Sequence, residues 1–259
     1  MPTVAVQGSA VEYERSGSGP DLLLLHSLLT DLTVFDRMLP PLAAAHRVTR
    51  INLPGFGRSA PVALESVADH AAHVVRAMDA LELAPGTDVF GNGFGAFVAA
   101  ELAIGHGARF GRLALADAVA AFPEPARAPF RAMAEKVREG GMPAVLDAAI
   151  GRMFPPEFAA RNPDVVTERK SVLAGVAPEC FARACRALAA LDLTPRLGGI
   201  RNPTLVMCGA LDQTTPPTLA RALAAQIFGA IYREIPGSGH CPMLEQPGTL
   251  VRFLREFTV

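Results

Sequence analysis

The chain has 259 residues, of which 50% are hydrophobic and 19% are charged, which is enough apolar material for one α/β domain with a large core and an insertion. Its net charge of −1 provides no overall field that would favour nucleic acid or an anionic membrane. No basic segment precedes an apolar run near the N-terminus, and the four cysteines form no Cys-x-x-Cys pair, so we expect no signal peptide and reduced thiols in the cytoplasm.

Strand-like and helix-like segments alternate along most of the chain. This pattern indicates a mostly parallel sheet covered by helices on both faces. Eight segments are predicted strands: 3–7, 11–15, 21–26, 47–52, 87–90, 112–116, 204–208 and 231–235. Helical periodicity predicts helices over 66–81 (with Ser66 as N-cap), 94–106, 218–227 and 249–257.

The pattern changes over residues 121–191, which contain no strand-like run. This stretch resembles about four amphipathic helices separated by prolines and glycines. We predict a helical lid at 121–191, inserted into a core formed by 1–120 and 192–259. Such a lid would cover the strand ends, where open α/β sheets bind ligands.

One pentapeptide, Gly91-Asn92-Gly93-Phe94-Gly95, has the spacing of the nucleophile elbow Gly-x-Ser-x-Gly. In that motif a strand ends in a strained turn, a helix begins at once, and the central side chain is lifted above the sheet. Here the centre is Gly93, so the turn is predicted without its reactive hydroxyl. No acyl-enzyme can form at this residue.

An acid and a base follow the elbow in the order typical of that motif. Asp212 lies in the loop after the strand at 204–208, and His240 follows the last strand in a Gly-Ser-Gly-His loop. An acid bound to one imidazole nitrogen fixes the tautomer and leaves the other nitrogen as base. Asp117, at the end of the strand at 112–116, is the rival acid.

The predicted oxyanion hole consists of two backbone N–H groups. One belongs to Phe94, and the other to Ser27 or Leu28, of which we favour Leu28. His26 is interpreted as a structural residue that orients this loop. Ser238 is near His240 in sequence, but nothing places its hydroxyl above the elbow.

The substrate pocket is predicted to include Ser27, Asn92, Met153 and Phe154. For Asn92, hydrogen bonding to neighbouring loops is the alternative to substrate contact. The expected pocket is mainly apolar and takes a small molecule. A substrate carboxylate would need a cation, and the lid segment supplies five candidates: Arg131, Arg138, Arg152, Arg183 and Arg186.

Taken with these motifs, the chain resembles the α/β-hydrolase superfamily over nearly its full length, and within it the 3-oxoadipate enol-lactonases and related small lactone and ester hydrolases. The similar stretches are 27–31, 57–59, 141–158, 180–193, Asp212 and 239–240. The resemblance implies an eight-stranded, mostly parallel sheet with a helical lid. It also implies a covalent acyl-serine mechanism without metal or cofactor, from which this chain departs at Gly93.

Three interpretations of that departure remain open. The chain is a hydrolase of a small ester or lactone that has lost its serine, either as an inactivated variant or naturally. Alternatively, it is a cofactor-free enzyme that uses the His240–Asp212 pair as general base for carbon–carbon cleavage, elimination or oxygen chemistry. The third interpretation is a non-catalytic ligand-binding protein. Under the first, Gly93→Ser gives hydrolase activity.

Overall fold

A single eight-stranded sheet forms the centre of the protein in the computed structural model, which describes residues 1–258. The strands are β1 (Thr3–Val6), β2 (Ser9–Ser16), β3 (Asp21–Leu25), β4 (Arg47–Ile51), β5 (Thr87–Asn92), β6 (Phe110–Ala116), β7 (Thr204–Gly209) and β8 (Ile231–Ile235). Their spatial order is β1-β2-β4-β3-β5-β6-β7-β8. β2 pairs antiparallel with β1 and β4, and the remaining five pairs are parallel, which confirms the predicted sheet.

Burial explains why the strand sequences differ. β3 lies between β4 and β5, and its run of four leucines is buried throughout. A parallel strand covered on both faces requires such a continuous apolar run. β8 lies at the edge and carries Arg233 and Glu234, which discourage pairing with another chain.

The helices surround this sheet. Those predicted at 66–81, 94–106, 218–227 and 249–257 are present close to these bounds, and two short helices were not predicted. The helices are α1 (Leu39–Ala43), α2 (Val67–Ala80), α3 (Phe94–His106), α4 (Glu124–Gly140), α5 (Leu146–Met153), α6 (Pro156–Arg161), α7 (Pro163–Ala174), α8 (Pro178–Ala189), α9 (Pro217–Ala225), α10 (Pro242–Glu245) and α11 (Pro247–Thr258). Short 3₁₀ turns occur at Leu32–Phe35, Gly107–Arg109, Met142–Val145 and Leu197–Gly199. α3 is buried over Phe94–Ala103 because its small residues let it pack closely on β5 and β6.

The segment between β6 and β7 forms α4 to α8, five helices where about four were predicted. Ala121 and Asp192 pair in an isolated antiparallel bridge, so both ends of the segment leave the core at one place. The lid boundaries at 121 and 191 stay a prediction. None of the described helices is both long and apolar enough to cross a bilayer. The four cysteines are buried and form no disulfide.

Candidate active site

The predicted elbow is formed where β5 passes into α3. Gly93 is the single residue between them, and its φ of +51° lies in the left-handed region that glycine adopts readily. A Cβ built on Gly93 would lie 3.0 Å from Nε2 of His240. Position 93 therefore points at the imidazole, as the central residue of an elbow should.

Two further glycines let the strand and helix approach each other. A Cβ built on Gly91 would overlap the backbone of Gly95, and one built on Gly95 would overlap the carbonyl of Leu25. A side chain at either position would push α3 away from the sheet. These contacts explain why glycine flanks the turn on both sides.

Asp212 and His240 meet at the carboxyl ends of β7 and β8. Nδ1 of His240 donates to Oδ2 of Asp212 at 2.8 Å, and both side chains are buried. Asp212 also accepts from the Thr215 hydroxyl at 2.5 Å and from the amides of Thr214 and Thr215 at 2.7 and 3.1 Å. The Asp212 contact holds the proton on Nδ1 and leaves Nε2 facing Gly93 as an acceptor.

This hydrogen-bonded pair has strongly shifted proton affinities. Burial alone would raise the pKa of Asp212, but the adjacent His240 and the bonds from His240 and Thr215 outweigh it and lower the pKa to about 2. Burial likewise opposes protonation of His240, and the Asp212 carboxylate outweighs it, so the pKa of His240 is raised above its ordinary value. The pair is arranged to stabilise an imidazolium that forms during proton transfer.

The rival acid Asp117 lies beside this pair without a hydrogen bond to the imidazole. Its Oδ1 accepts from the Gly209 amide at 2.8 Å and its Oδ2 from Asn92 Nδ2 at 2.7 Å. Burial, followed by the Asp212 charge, raises the pKa of Asp117 well above its usual range. The structure therefore brings Asp212 to His240, and places Asp117 in a structural contact.

Asp117, Asp212 and His240 are also close enough to be considered as metal ligands, with one ligand atom from each lying within 4.8 Å of the others. All four carboxylate oxygens, however, already accept hydrogen bonds from protein donors. The cluster has the chemistry of a hydrogen-bonded network and not of an open coordination site.

The loop that carries His240 is held by contacts the sequence analysis missed. The two carboxylate oxygens of Glu245 accept from the amides of Gly239 at 2.7 Å and Cys241 at 3.0 Å, on either side of His240. The His240 amide donates to the Met153 carbonyl at 3.2 Å, which ties the loop to α5. Glu245 follows the predicted base His240 closely in sequence, and this acidic residue was the signal from which the contact could have been predicted.

Thr215 was missed in the same way. It follows Asp212 by three residues, and the bonds from the Thr214 and Thr215 amides to Asp212 are those of an Asx-type turn. The local sequence Asp-x-Thr-Thr before two prolines was a usable signal for this turn.

The loop after β3 supplies one of the two candidate oxyanion donors. The Ser27 amide donates to Thr30 Oγ1 at 3.1 Å, so it is already engaged. Within residues 1–258, the amides of Leu28 and Phe94 donate to no protein acceptor. Of the two residues considered in this loop, Leu28 has the available N–H group.

His26 fixes this loop, as expected of a structural residue. Its Nε2 accepts from the Leu53 amide at 3.0 Å, and its Nδ1 donates to the Ser27 carbonyl at 2.8 Å. Burial lowers the pKa of His26 to about 4, which keeps the ring neutral near pH 7. The ring thereby sets the backbone on which Ser27 and Leu28 lie.

A narrow cavity of about 20 Å³ lies above the elbow and is roofed by the helical segment. Of the predicted pocket residues, Ser27 lines it, whereas Asn92, Met153 and Phe154 do not. Asn92 is buried beneath the site against Asp117, the Met153 side chain is buried in the core, and Phe154 stacks on Phe158 instead. The lining residues are Ser27, Leu28, Leu29, Gly93, Phe94, Phe97, Phe122, Phe130, Met133, Arg152, Leu188, Thr214, Thr215 and His240.

Among the five candidate cations, only Arg152 lines this cavity. The other four form ion pairs with glutamates. Arg152 lies over the Phe130 ring, with Cζ 5.0 Å from the ring centroid. No carboxylate among residues 1–258 is hydrogen-bonded to it, and burial lowers its pKa. The cavity thus combines apolar walls, one cation that is hydrogen-bonded to no carboxylate, and the free nitrogen of His240.

Known proteins share this architecture. Residues 22–253 match the family model described as the alpha/beta hydrolase family. As the sequence resemblance predicted, the chain is similar to 3-oxoadipate enol-lactonase 2 of Acinetobacter baylyi, with 29% identity over 95% of this chain and 91% of that protein.

Solved structures agree with the family match. The enol-lactonase of Burkholderia xenovorans LB400 has a TM-score of 0.94 at 29% identity and covers 99% of both chains. A thermophilic esterase of Thermogutta terrifontis has a TM-score of 0.91 at 25% identity, covering 99% of this chain and 97% of that one. With its elbow, its acid–histidine pair and a family match over most of its length, the chain belongs to the alpha/beta hydrolase family.

Proposed function

We propose that this protein hydrolyses a small ester or lactone whose acyl part carries an anionic group. The observation that carries this proposal is the guanidinium of Arg152, which is hydrogen-bonded to no carboxylate among residues 1–258 and lines the same cavity as His240. The similarity to proteins named enol-lactonase and esterase supports the reaction class.

The chemistry follows from the arrangement of the site. Nε2 of His240 accepts the proton of an attacking hydroxyl, and Asp212 stabilises the imidazolium that results. The amides of Leu28 and Phe94 bind the oxygen of the acyl carbonyl as negative charge develops on it. Since Gly93 has no hydroxyl, the attacking group comes from elsewhere in the cavity.

Arg152 determines which acyl group is favoured. A partly buried guanidinium without a carboxylate partner is unfavourable, and an anionic substrate group relieves this cost on binding. The aromatic wall formed with Phe130 holds the guanidinium plane in the cavity. An acyl chain ending in a carboxylate matches this charge.

The test uses paired 4-nitrophenyl esters of the same length, one ending in a carboxylate and one in a methyl group. Arg152→Gln is expected to lower kcat/KM for the anionic ester by about 10-fold to 100-fold, the effect of one charged hydrogen bond, while the neutral ester is unaffected. The matched control is Arg138→Gln, because Arg138 is exposed and pairs with Glu135.

His240→Ala should abolish turnover of both esters. Equal losses for the two esters in Arg152→Gln would show that Arg152 does not recognise the anion. Absence of hydrolysis across esters and lactones by every form of the protein would refute the hydrolase function itself.

A second candidate function is favoured by Gly93. A histidine base without a hydroxyl at the elbow can remove a proton from carbon, leading to elimination or carbon–carbon cleavage. Exchange of a substrate C–H for deuterium in D₂O that requires His240, without ester hydrolysis, would select this function.

A further inference from the structure

Building on the hydrolase function proposed above, we propose that Ser27 supplies the nucleophile that position 93 lacks. The Ser27 side chain extends from the loop after β3 into the space above Gly93. A Cβ built on Gly93 would overlap Oγ of Ser27 and lie 3.0 Å from its Cβ. The same point lies 3.0 Å from Nε2 of His240. The Ser27 hydroxyl therefore occupies the volume of the missing side chain, and Nε2 of His240 borders the same volume.

The hydroxyl is available for reaction. Ser27 is 2% exposed and lines the cavity, and within residues 1–258 its Oγ forms no hydrogen bond with the protein. Because Ser27 lines the cavity, its hydroxyl can engage a ligand or the base.

The Ser27 backbone, in contrast, is fixed. Its amide donates to Thr30 Oγ1 at 3.1 Å, and its carbonyl accepts from His26 Nδ1 at 2.8 Å and the Thr30 amide at 3.3 Å. A nucleophile needs such a rigid support, because misplacement by about 1 Å can cost about 100-fold in rate.

The position of Ser27 also suits the oxyanion donors. In the elbow motif, the residue after the nucleophile donates its amide to the oxyanion. Leu28 has this relation to Ser27, and its amide is free, as is that of Phe94 across the cavity. Both donors thus remain usable when the nucleophile moves from position 93 to position 27.

The proposed reaction balances without a further reactant except water. Oγ of Ser27 attacks the acyl carbon while its proton passes to Nε2 of His240. Collapse of the tetrahedral intermediate breaks the bond to the leaving oxygen, which takes that proton from Nε2. Water then attacks the acyl-Ser27 ester with the same base, releases the acid and restores the hydroxyl.

Gly93 is then a requirement of the site. Any side chain at position 93 would occupy the space that the Ser27 hydroxyl fills. Gly93→Ala is therefore expected to lower hydrolysis even though it adds only a methyl group. Gly93→Ser combined with Ser27→Ala removes the overlap and places a hydroxyl at the elbow.

The experiment labels the protein with a fluorophosphonate, locates the label by peptide mass spectrometry, and measures hydrolysis of the anionic 4-nitrophenyl ester. Label on Ser27 and a loss of about 10³-fold or more in Ser27→Ala are expected. Ser238→Ala is the matched control, because Ser238 is buried and close to His240 in sequence but lies outside the cavity. In the Gly93→Ser and Ser27→Ala double variant, the label should move to position 93.

The outcomes separate this inference from the proposed function. If Ser27→Ala still hydrolyses the ester while His240→Ala does not, the base activates water directly, and the role of Ser27 is refuted while the hydrolase function stands. The role of Ser27 is also refuted if the unsubstituted chain is neither labelled nor active while the double variant is active. If neither form hydrolyses any ester or lactone, the hydrolase function is refuted. Thermal unfolding confirms that each variant is folded.

Discussion

The charges of Asp212, Asp117 and Arg152 all act on the imidazole of His240, and Glu245 interacts with it as well. Only Asp212 is hydrogen-bonded to the imidazole, and its carboxylate outweighs the effect of burial on the histidine. Asp117 is buried in a setting that raises its pKa well above the usual range. The two acids thus differ both in their environments and in their contact with the base, since Asp212 alone of the two is bonded to it.

The rate of hydrolysis should depend on pH through the protonation of His240. An imidazolium cannot accept a proton, and the pKa of His240 is raised above its ordinary value of 6.5, so the rate should fall as pH decreases, with a midpoint above pH 6.5. Asp212→Asn should lower this pKa and reduce kcat by about 10⁴-fold. Asp117→Asn should lower the pKa of His240 by less than Asp212→Asn does, because the Asp117 charge contributes less to it. The measurements are the pH–rate profile and NMR titration of labelled histidine. A larger shift in Asp117→Asn would make Asp117 the partner acid.

In the helical segment, prolines were expected to separate the helices, but several of them begin a helix instead. Pro156, Pro163 and Pro178 begin α6, α7 and α8 as their first residues. Proline is well tolerated there because its missing N–H has no acceptor within the helix. Pro129 lies inside α4 without ending it. The prolines expected to separate helices thus mark the first residues of three of them, whereas the number of helices in the segment was underestimated by one.

The N-terminal cap of α2 is expected to stabilise the protein. The Ser66 hydroxyl accepts from the Asp69 amide at 3.1 Å, and the Asp69 carboxylate accepts from the Ser66 amide at 3.0 Å, which confirms the predicted cap of α2. Ser66→Ala should lower the free energy of unfolding by about 1 kcal/mol, measured by urea denaturation. Ser171→Ala is the control, since Ser171 is exposed within α7 and caps no helix. Equal effects of the two changes would contradict a stabilising cap.

Across the whole molecule, three histidines are buried in neutral form: His26, His70 and His73. Burial is the largest cause of the lowered pKa of each, about 4 in every case. Both ring nitrogens of His70 lack a hydrogen-bond partner among the described residues, and its ring packs 4.9 Å from that of Phe94. Proton uptake at these sites therefore opposes folding.

The free energy of unfolding should therefore depend on pH through these three histidines. Since the folded pKa is below the unfolded value of 6.5, stability is fully present above pH 6.5 and is lost progressively as pH falls toward 4. The measurement is the urea midpoint at several pH values. His70→Leu should reduce this dependence, and His106→Gln, at an exposed position, should not. An unchanged midpoint between pH 6.5 and 4 would contradict the assignment.

The sequence by itself determined the sheet, the elbow at Gly93, and the order of Asp212 and His240 after it. These features depend on local causes: the periodicity of apolar residues, glycine at tight turns, and the position of an acid or base just after a strand. Each of these patterns lies within a few consecutive residues, so it can be detected in a single sequence.

Tertiary structure alone decided which side chains enter the cavity. It placed Arg152 there among five arginines, directed Met153 and Phe154 elsewhere, and joined Asp212 instead of Asp117 to His240. It also brought Ser27 over Gly93, which is 66 positions away along the chain. These contacts depend on how helices rotate and loops pack against distant strands, and neither periodicity nor spacing encodes such distances.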